Sequence, residues 1–262
     1  MDLGLNGKVA FVAAASKGLG KATALALAEE GANVMISSRN VEELMKTVAE
    51  IREVAKGKID YVVCDITNEN EIKQAISRTL SEFGTIDILI NNAGGPPAGD
   101  FEKLSDENWY RAFELNLLSY IRFIREVLPI MKEKRYGKII NFASSSVKQP
   151  IPNLLLSNTF RAGVLGLSKS LSIEFGEYNI LVNTVSPGRI FTERIEELDK
   201  IKAKKLGISV EQVRLQSENA IPLGRYGKTE EYGRVVAFLA SDVASYMNGS
   251  SLLIDGGMVK AL

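Results

Sequence analysis

Two rhythms of apolar residues alternate along the chain. Short runs rich in strand-forming residues occur at 8–15 (KVAFVAAA), 33–38 (NVMISS), 58–63 (KIDYVV), 86–91 (IDILIN), 137–143 (GKIINFA), 179–185 (NILVNTV) and 251–256 (SLLIDG). Between them lie longer segments of helical period: LGKATALALAEEG, VEELMKTVAEIREVAKG, NEIKQAISRTLSEFG, the span 106–134, the stretch 157–176 and TEEYGRVVAFLAS. Several of these end in glycine, as helix C-caps do. The alternation predicts an α/β chain, a seven-stranded parallel sheet covered by helices on both faces. Ligands of such sheets bind beyond the carboxyl ends of the strands. The segment 189–220, which begins RIFTERIEELDKIK, interrupts the rhythm with a charged, helix-prone insertion. It reads either as a substrate lid over that edge or as a surface excursion.

Composition narrows the function classes. With 262 residues, 45% of them hydrophobic, the chain can bury one large core, and no repeat, low-complexity tract or linker divides residues 1–262. The 32 basic and 32 acidic residues are interspersed. No basic face is left for nucleic acid and no polybasic run for a membrane, so the expected partners are small molecules or protein. The chain has no histidine, which excludes a histidine-based triad and a histidine-ligated metal, and no metal site is expected. Cys64 is the only cysteine, so there is neither an internal disulfide nor a thiolate cluster. The start MDLGLNGKVA lacks a signal-peptide apolar region, and no run approaches the roughly 20 apolar residues of a membrane span. A soluble, cytoplasmic protein is expected.

The first candidate chemistry follows the first strand, in AAASKGLGKATALA. Here Ser16, Lys17, Gly18, Leu19 and Gly20 form a glycine turn that runs into a helix. Such a turn offers bare backbone N–H groups and a positive helix end to an anion, usually a pyrophosphate. Taken alone it is equally a structural βα turn; its place after the first strand of a βαβ series favours the nucleotide. The second strand ends in Ser37, Ser38, Arg39 and Asn40, where a fold that prefers NAD would place a carboxylate for the ribose hydroxyls. Arg39 and Lys17 can instead meet a 2′-phosphate, which favours NADP(H) over NAD(H), unless both are simply solvated charges.

With NNAG at 91–94 after the fourth strand, the chain resembles the short-chain dehydrogenase/reductase family. The likeness is to its classical type, which includes the 3-oxoacyl-carrier-protein reductases, and it runs nearly from end to end. The resemblance implies a single-domain Rossmann fold. It places Asn92, Ala93 and Gly94 beside the cofactor, Asp65 and Ile66 at the adenine, and Asn116 in ELNLL as the helix-kinking catalytic Asn. The VNTVSPG loop, with Pro187, Gly188, Ile190 and Thr192, would hold the carboxamide. One departure lies in the glycine turn, which in the family begins Thr-Gly; Ala13 and Ala14 stand there, and the methyl of Ala14 must be accommodated.

A sharper departure concerns catalysis. Register fixed by AGVLGLSKSLSIEF places the family's catalytic Tyr at Ser157 and its Lys at Arg161, while Asn116 and Ser144 survive. In the family the tyrosine protonates the carbonyl oxygen as hydride reaches carbon. A serine oxygen ends several ångströms short of a phenol's and titrates far higher, so direct proton delivery is impaired unless water bridges the gap. Arg161 could bind the ribose or a substrate carboxylate or phosphate; alternatively, both residues reflect drift in an unused site. Among other donors, Tyr110, Tyr120, Tyr136 and Tyr178 read as packing or surface aromatics away from the Ser144 loop. Tyr226 and Tyr246 are no better placed. Lys148 on that loop needs burial to become a useful acid, Ser145 and Ser146 read as loop hydrogen-bonding groups, and Trp109 reads as core. Two readings stand: a reductase or dehydrogenase with rerouted proton transfer, or a nucleotide-binding homologue without turnover that senses the nucleotide or serves as a partner subunit. The resemblance also implies a homodimer or homotetramer, with Ala162, Gly163 and Gly166 as the small residues for close helix approach.

Overall fold

The structure, a computed structural model, describes residues 2–261. Seven strands form one parallel sheet in the order β3-β2-β1-β4-β5-β6-β7. They are β1 (Val9–Val12), β2 (Asn33–Ser38), β3 (Ile59–Val63), β4 (Ile88–Asn91), β5 (Gly137–Phe142), β6 (Ile180–Pro187) and β7 (Ser251–Ile254). Every run anticipated as a strand pairs as one. The sheet separates two apolar layers because successive side chains on each strand point to opposite faces. Ala10, Val12, Val34, Ile36, Ile88 and Ile90 face one layer, whereas Phe11, Met35 and Leu89 face the other. On the first face lie α1 (Gly18–Glu29), α2 (Val41–Arg52) and, later in the chain, α9 (Thr229–Ala240). The second carries α3 (Glu69–Phe83), α5 (Ser119–Lys134) and α6 (Leu155–Glu174). The result is a single Rossmann-type domain.

β1 lies between β2 and β4: the chain runs outward from β1 through β2 to β3 and then crosses back to β4 on the other side of β1. The switch point therefore falls at the carboxyl ends of β1 and β4, where such sheets take up ligands. The span 106–134 is not one helix. α4 (Asp106–Phe113) passes into a wide turn at Glu114–Leu118 before α5, and the Ser119 N–H reaches back five residues to the Glu114 carbonyl. A π-type turn of this kind redirects the helix and is common at functional sites. Asn116 sits within it, fully buried.

The charged insertion forms α7 (Glu193–Leu206) and α8 (Val210–Asn219). A buried carboxylate secures it: Asp199 accepts from Arg189 at 2.6 Å and from the Tyr226 hydroxyl at 2.8 Å. Arg214 lies over the rings of Phe191 and Tyr226. Two expectations change. Trp109 is half-buried rather than core, with its ring edge-on to Phe160. Gly163 faces inward, since a Cβ there would lie 3.1 Å from Leu117 Cδ2. Only Ala162 and Gly166 remain on the open side of α6. Among the described residues, no helix is long and apolar enough to cross a membrane.

The first layer depends on close approach of α1 and α9 at Gly233. A Cβ built there meets the carbonyl oxygen of Ala22 and lies 2.8 Å from its carbonyl carbon. Backbone atoms cannot swing aside as a flexible side chain would. Gly233→Ala is expected to lower stability by about 1–3 kcal/mol, the usual cost of overpacking, read as a lower urea midpoint with unchanged slope. A midpoint equal to that of the parent would show that the two helices separate freely.

Candidate active site and cofactor cleft

The glycine turn has the geometry of an anion cradle. Gly18 takes φ +57°, and a Cβ on Gly20 would lie 2.7 Å from the Ala14 carbonyl oxygen and 2.8 Å from Asn92 Nδ2, so the chain is packed too tightly there for any side chain. Helix α1 begins without a side-chain cap and with no acidic residue in its first turn, which leaves its leading N–H groups open at the switch point. Ala14 is accommodated by a left-handed backbone, φ 49°, and its carbonyl is held by Asn92 Nδ2 at 3.0 Å. That conformation costs an L-residue roughly 1–2 kcal/mol. These features fit a dinucleotide pyrophosphate.

Around the turn, the other positions expected to border a cofactor lie at the carboxyl edge of the sheet. The Ser16 carbonyl accepts from Thr47 at 2.7 Å and the Leu19 carbonyl from Thr23 at 2.8 Å, which braces the turn. Ser38 ends β2, its hydroxyl accepting from Asn40 N, and Arg39 beyond it is exposed. Asp65 Oδ1 accepts from the Thr67 N–H and hydroxyl, and Ile66 is buried beside it. Ala93 and Gly94 follow β4, and both carbonyls are used: Gly94 O accepts from Asn116 Nδ2 at 2.8 Å, and Ala93 O from Arg161 at 3.2 Å. Pro187 ends β6 opposite Ile254, and Gly188 N donates to Ile254 O at 2.9 Å. Ile190 is buried. Thr192 caps α7 through Ile195 N and stands over the glycine turn, its Cγ2 lying 3.7 Å from the Cβ position of Gly18.

Lys17 is not free. Its ammonium pairs with Glu193 at 2.5 Å, which holds its pKa above the usual lysine value. Glu193 was not singled out from the sequence, because 176 residues separate the partners and nothing local marks the pair.

The positions expected to be catalytic follow β4 and β5 and begin α6. Asn116 Oδ1 is buried without a protein partner. Ser144 caps the short turn Ser145–Val147 by accepting from Ser146 N at 3.2 Å, so its own hydroxyl hydrogen remains available. The Ser146 hydroxyl is buried and unpartnered, contrary to the bonding role expected of it. Ser157 is the third residue of α6 and half-buried. Asn158 beside it clasps both the N–H and the carbonyl of Ile151, and Gly99 N donates to Asn153 O at 2.9 Å. The loop after β4 and the loop before α6 are thereby joined at the rim.

Arg161 departs from the sequence expectation. Its guanidinium turns into the protein, where Nη1 donates to the Tyr120 hydroxyl and to the Phe142 carbonyl, each at 2.7 Å, and Nη2 to Ala93 O. The group is thus committed to protein oxygens, one of them in the NNAG turn, rather than standing free for a ligand. Tyr120 is likewise corrected. It is a packing aromatic, but its hydroxyl donates at 3.0 Å to the carbonyl of Phe142, two residues before Ser144. Burial raises its pKa even beside Arg161, and its side chain is closed off from solvent. Of the other donors considered, Tyr110, Tyr246 and Lys148 are exposed, and Tyr136 is bound to Asp242. Tyr178 stacks under Lys132, and Tyr226 is bound to Asp199. Cys64 is buried with its thiol pushed up to about 12, so it supplies no thiolate near neutrality.

Comparison with known proteins identifies the family. The chain is 36% identical over 258 residues to a 3-oxoacyl-acyl-carrier-protein reductase, FabG, of Thermotoga maritima, covering 97% of this chain and 99% of that one. Among solved structures, L-sorbose reductase from Gluconobacter frateurii, complexed with NADPH and L-sorbose, superposes with a TM-score of 0.95 at 31% identity over 100% of both chains. An NAD+-bound xylitol dehydrogenase does so with a TM-score of 0.91 at 32% identity, over 97% and 99% of the two chains. The family model described as enoyl-(acyl carrier protein) reductase matches residues 13–259, and the chain belongs to the short-chain dehydrogenase/reductase family.

Proposed function

We propose that this chain is a cytoplasmic, NADP(H)-dependent oxidoreductase that interconverts a carbonyl and an alcohol, of the 3-oxoacyl reductase kind, with a non-standard route for the proton. The observation that carries the cofactor assignment is the uncapped start of α1 behind Gly18 and Gly20, with the exposed Arg39 at the end of β2 and no carboxylate at that position. The NADPH-bound L-sorbose reductase supports the choice of nucleotide, and the NAD+-bound relative makes it one to measure. When bound, the nicotinamide supplies or accepts the hydride. The chain's own residues then orient the substrate and move the proton. Ser144, with its hydroxyl hydrogen uncommitted, donates to the substrate oxygen and holds the carbonyl. Asn116, in its wide turn, offers a buried Oδ1 that can accept from an ordered water. Ser157 is too short to replace a phenol and acts through such a water. Arg161 touches none of the reacting atoms; it is a positioning residue that fixes the ends of β4 and β5.

In solution the open face of α6 around Ala162 and Gly166 is expected to pair with a second copy, giving a homodimer or homotetramer. A monomeric mass by light scattering at micromolar concentration would refute this. On the cofactor, NADPH is expected to bind about tenfold or more tightly than NADH, the size of one to two charge-assisted contacts. Fluorescence titration of Arg39→Ala should show most of that preference gone; a variant that keeps it sinks the assignment.

The catalytic reading has its own test. The double variant Ser157→Tyr, Arg161→Lys restores an acid and a cation, and is expected to reduce activated ketones ~100-fold or more faster than the parent, the scale of a positioned general acid. It should also be less stable by about 1–3 kcal/mol, because lysine cannot fork to three oxygens as Arg161 does. A parent faster than the variant would mean that serine and arginine serve a dedicated mechanism. Turnover by neither, with nucleotide bound by both, would favour the second reading, a nucleotide-binding homologue without turnover, for which the inward turn of Arg161 already speaks.

A further inference from the structure

Three consecutive residues at the start of α7 touch three points on the rim of the cleft. Thr192 stands over Gly18, Glu193 pairs with Lys17, and Arg194 donates to the Pro96 carbonyl at 3.0 Å across from Gly95. The middle contact is chemically odd. It sets a carboxylate on the one cation of the glycine turn available to a 2′-phosphate, and Glu43 and Glu197 add negative field at the same ammonium. Lys17 and Glu193 are 60% and 63% exposed, so the pair is held in water and can exchange rapidly. Arg39, the other candidate for the phosphate, is exposed beyond the end of β2.

We infer that Glu193 is a tethered stand-in for the 2′-phosphate of NADP(H). It occupies Lys17 in the free chain; a nucleotide bearing a 2′-phosphate takes Lys17 over and frees the first turn of α7, whereas a nucleotide without one leaves the tie in place. Glu193 is therefore a specificity-setting residue. It opposes NADP(H) binding and links recognition at the adenosine end to release of the first turn of α7 at the substrate edge. Linkage requires reciprocity: what the phosphate does to the tie, the tie does to the affinity for phosphate. This inference rests on the NADP(H) reading above.

The test uses the intact chain with 2′,5′-ADP and 5′-AMP, which share the adenosine end and lack the nicotinamide that would touch Thr192. Glu193→Gln should tighten 2′,5′-ADP by about two- to fivefold, the range of an exposed ion pair, and leave 5′-AMP unchanged. In a Lys17→Gln background the same substitution should do nothing. Hydrogen exchange supplies the second readout: saturating 2′,5′-ADP should speed exchange of the amides at 193–197 in the parent, 5′-AMP should not, and Glu193→Gln should exchange fast without either. If 2′,5′-ADP is preferred equally by parent and variant and exchange at 193–197 does not respond, the inference falls while the cofactor assignment stands. If neither protein distinguishes the two nucleotides, the cofactor assignment falls and the inference falls with it.

Discussion

The guanidinium of Arg161 is a buried cation whose three partners are neutral oxygens, from the end of β4, the end of β5 and helix α5. Moving such a charge out of water costs several kcal/mol, and hydrogen bonds to a charged group return roughly 1.5–3 kcal/mol each. Three of them offset the burial only while all three oxygens stay in place. The group therefore enforces a geometry: α6 cannot shift along the sheet without leaving the charge unsolvated and unbonded. Because Ala93 lies in the NNAG turn and Phe142 lies two residues before Ser144, the same constraint sets the cofactor loop and the Ser144 loop relative to Ser157. Below it, the Asn91 amide donates to Asn141, whose own amide donates to Ser168 of α6, so a second buried polar contact holds the same three elements one layer down.

This constraint explains why Ser157 and Arg161 are best understood together with Tyr120. A planar fork reaches three separated oxygens; an ammonium on a flexible stem does not. Tyr120 completes the arrangement by accepting from the guanidinium and donating to the same Phe142 carbonyl. With the position 161 cation committed to three protein oxygens, a phenol at 157 would lose its usual partner. A serine beside an inward arginine is thus a chemically consistent pair. The proton route proposed above therefore draws on Ser144 and on water, with the orphan Asn116 oxygen accepting from that water and so positioning it.

The strands were legible because each is a run of strand-forming residues bounded by turn residues, and a central parallel sheet needs little beyond that. Glycine positions were legible for the same local reason, and Gly18 and Gly20 stand where a bare backbone was expected. Asn116 could be placed in a helix but not in a five-residue turn, since a π-type turn has no composition of its own. Long-range side-chain pairs were not legible at all. Lys17 looked like a free cation and Arg161 like a ligand-facing one, because charge is visible in a sequence and its partner is not. In both cases the tertiary neighbour, Glu193 or the carbonyls of Ala93 and Phe142, decides what the charge does.

The insertion 189–220 is attached at two places of different character, and the difference bears on how it can move. At one end Asp199 is buried between Arg189 and Tyr226, with Arg214 over the rings, so separation there would strand a carboxylate in low dielectric. At the other, the tie from Glu193 to Lys17 is exposed and that from Arg194 to Pro96 is part-buried, and water can replace the first at little cost. Local opening follows the weaker attachment. The first turn of α7 can therefore lift from the glycine turn while the base of the segment stays fixed. On this footing we propose that the insertion is a cover over the cofactor cleft, with the first turn of α7 beside the glycine turn as its free edge.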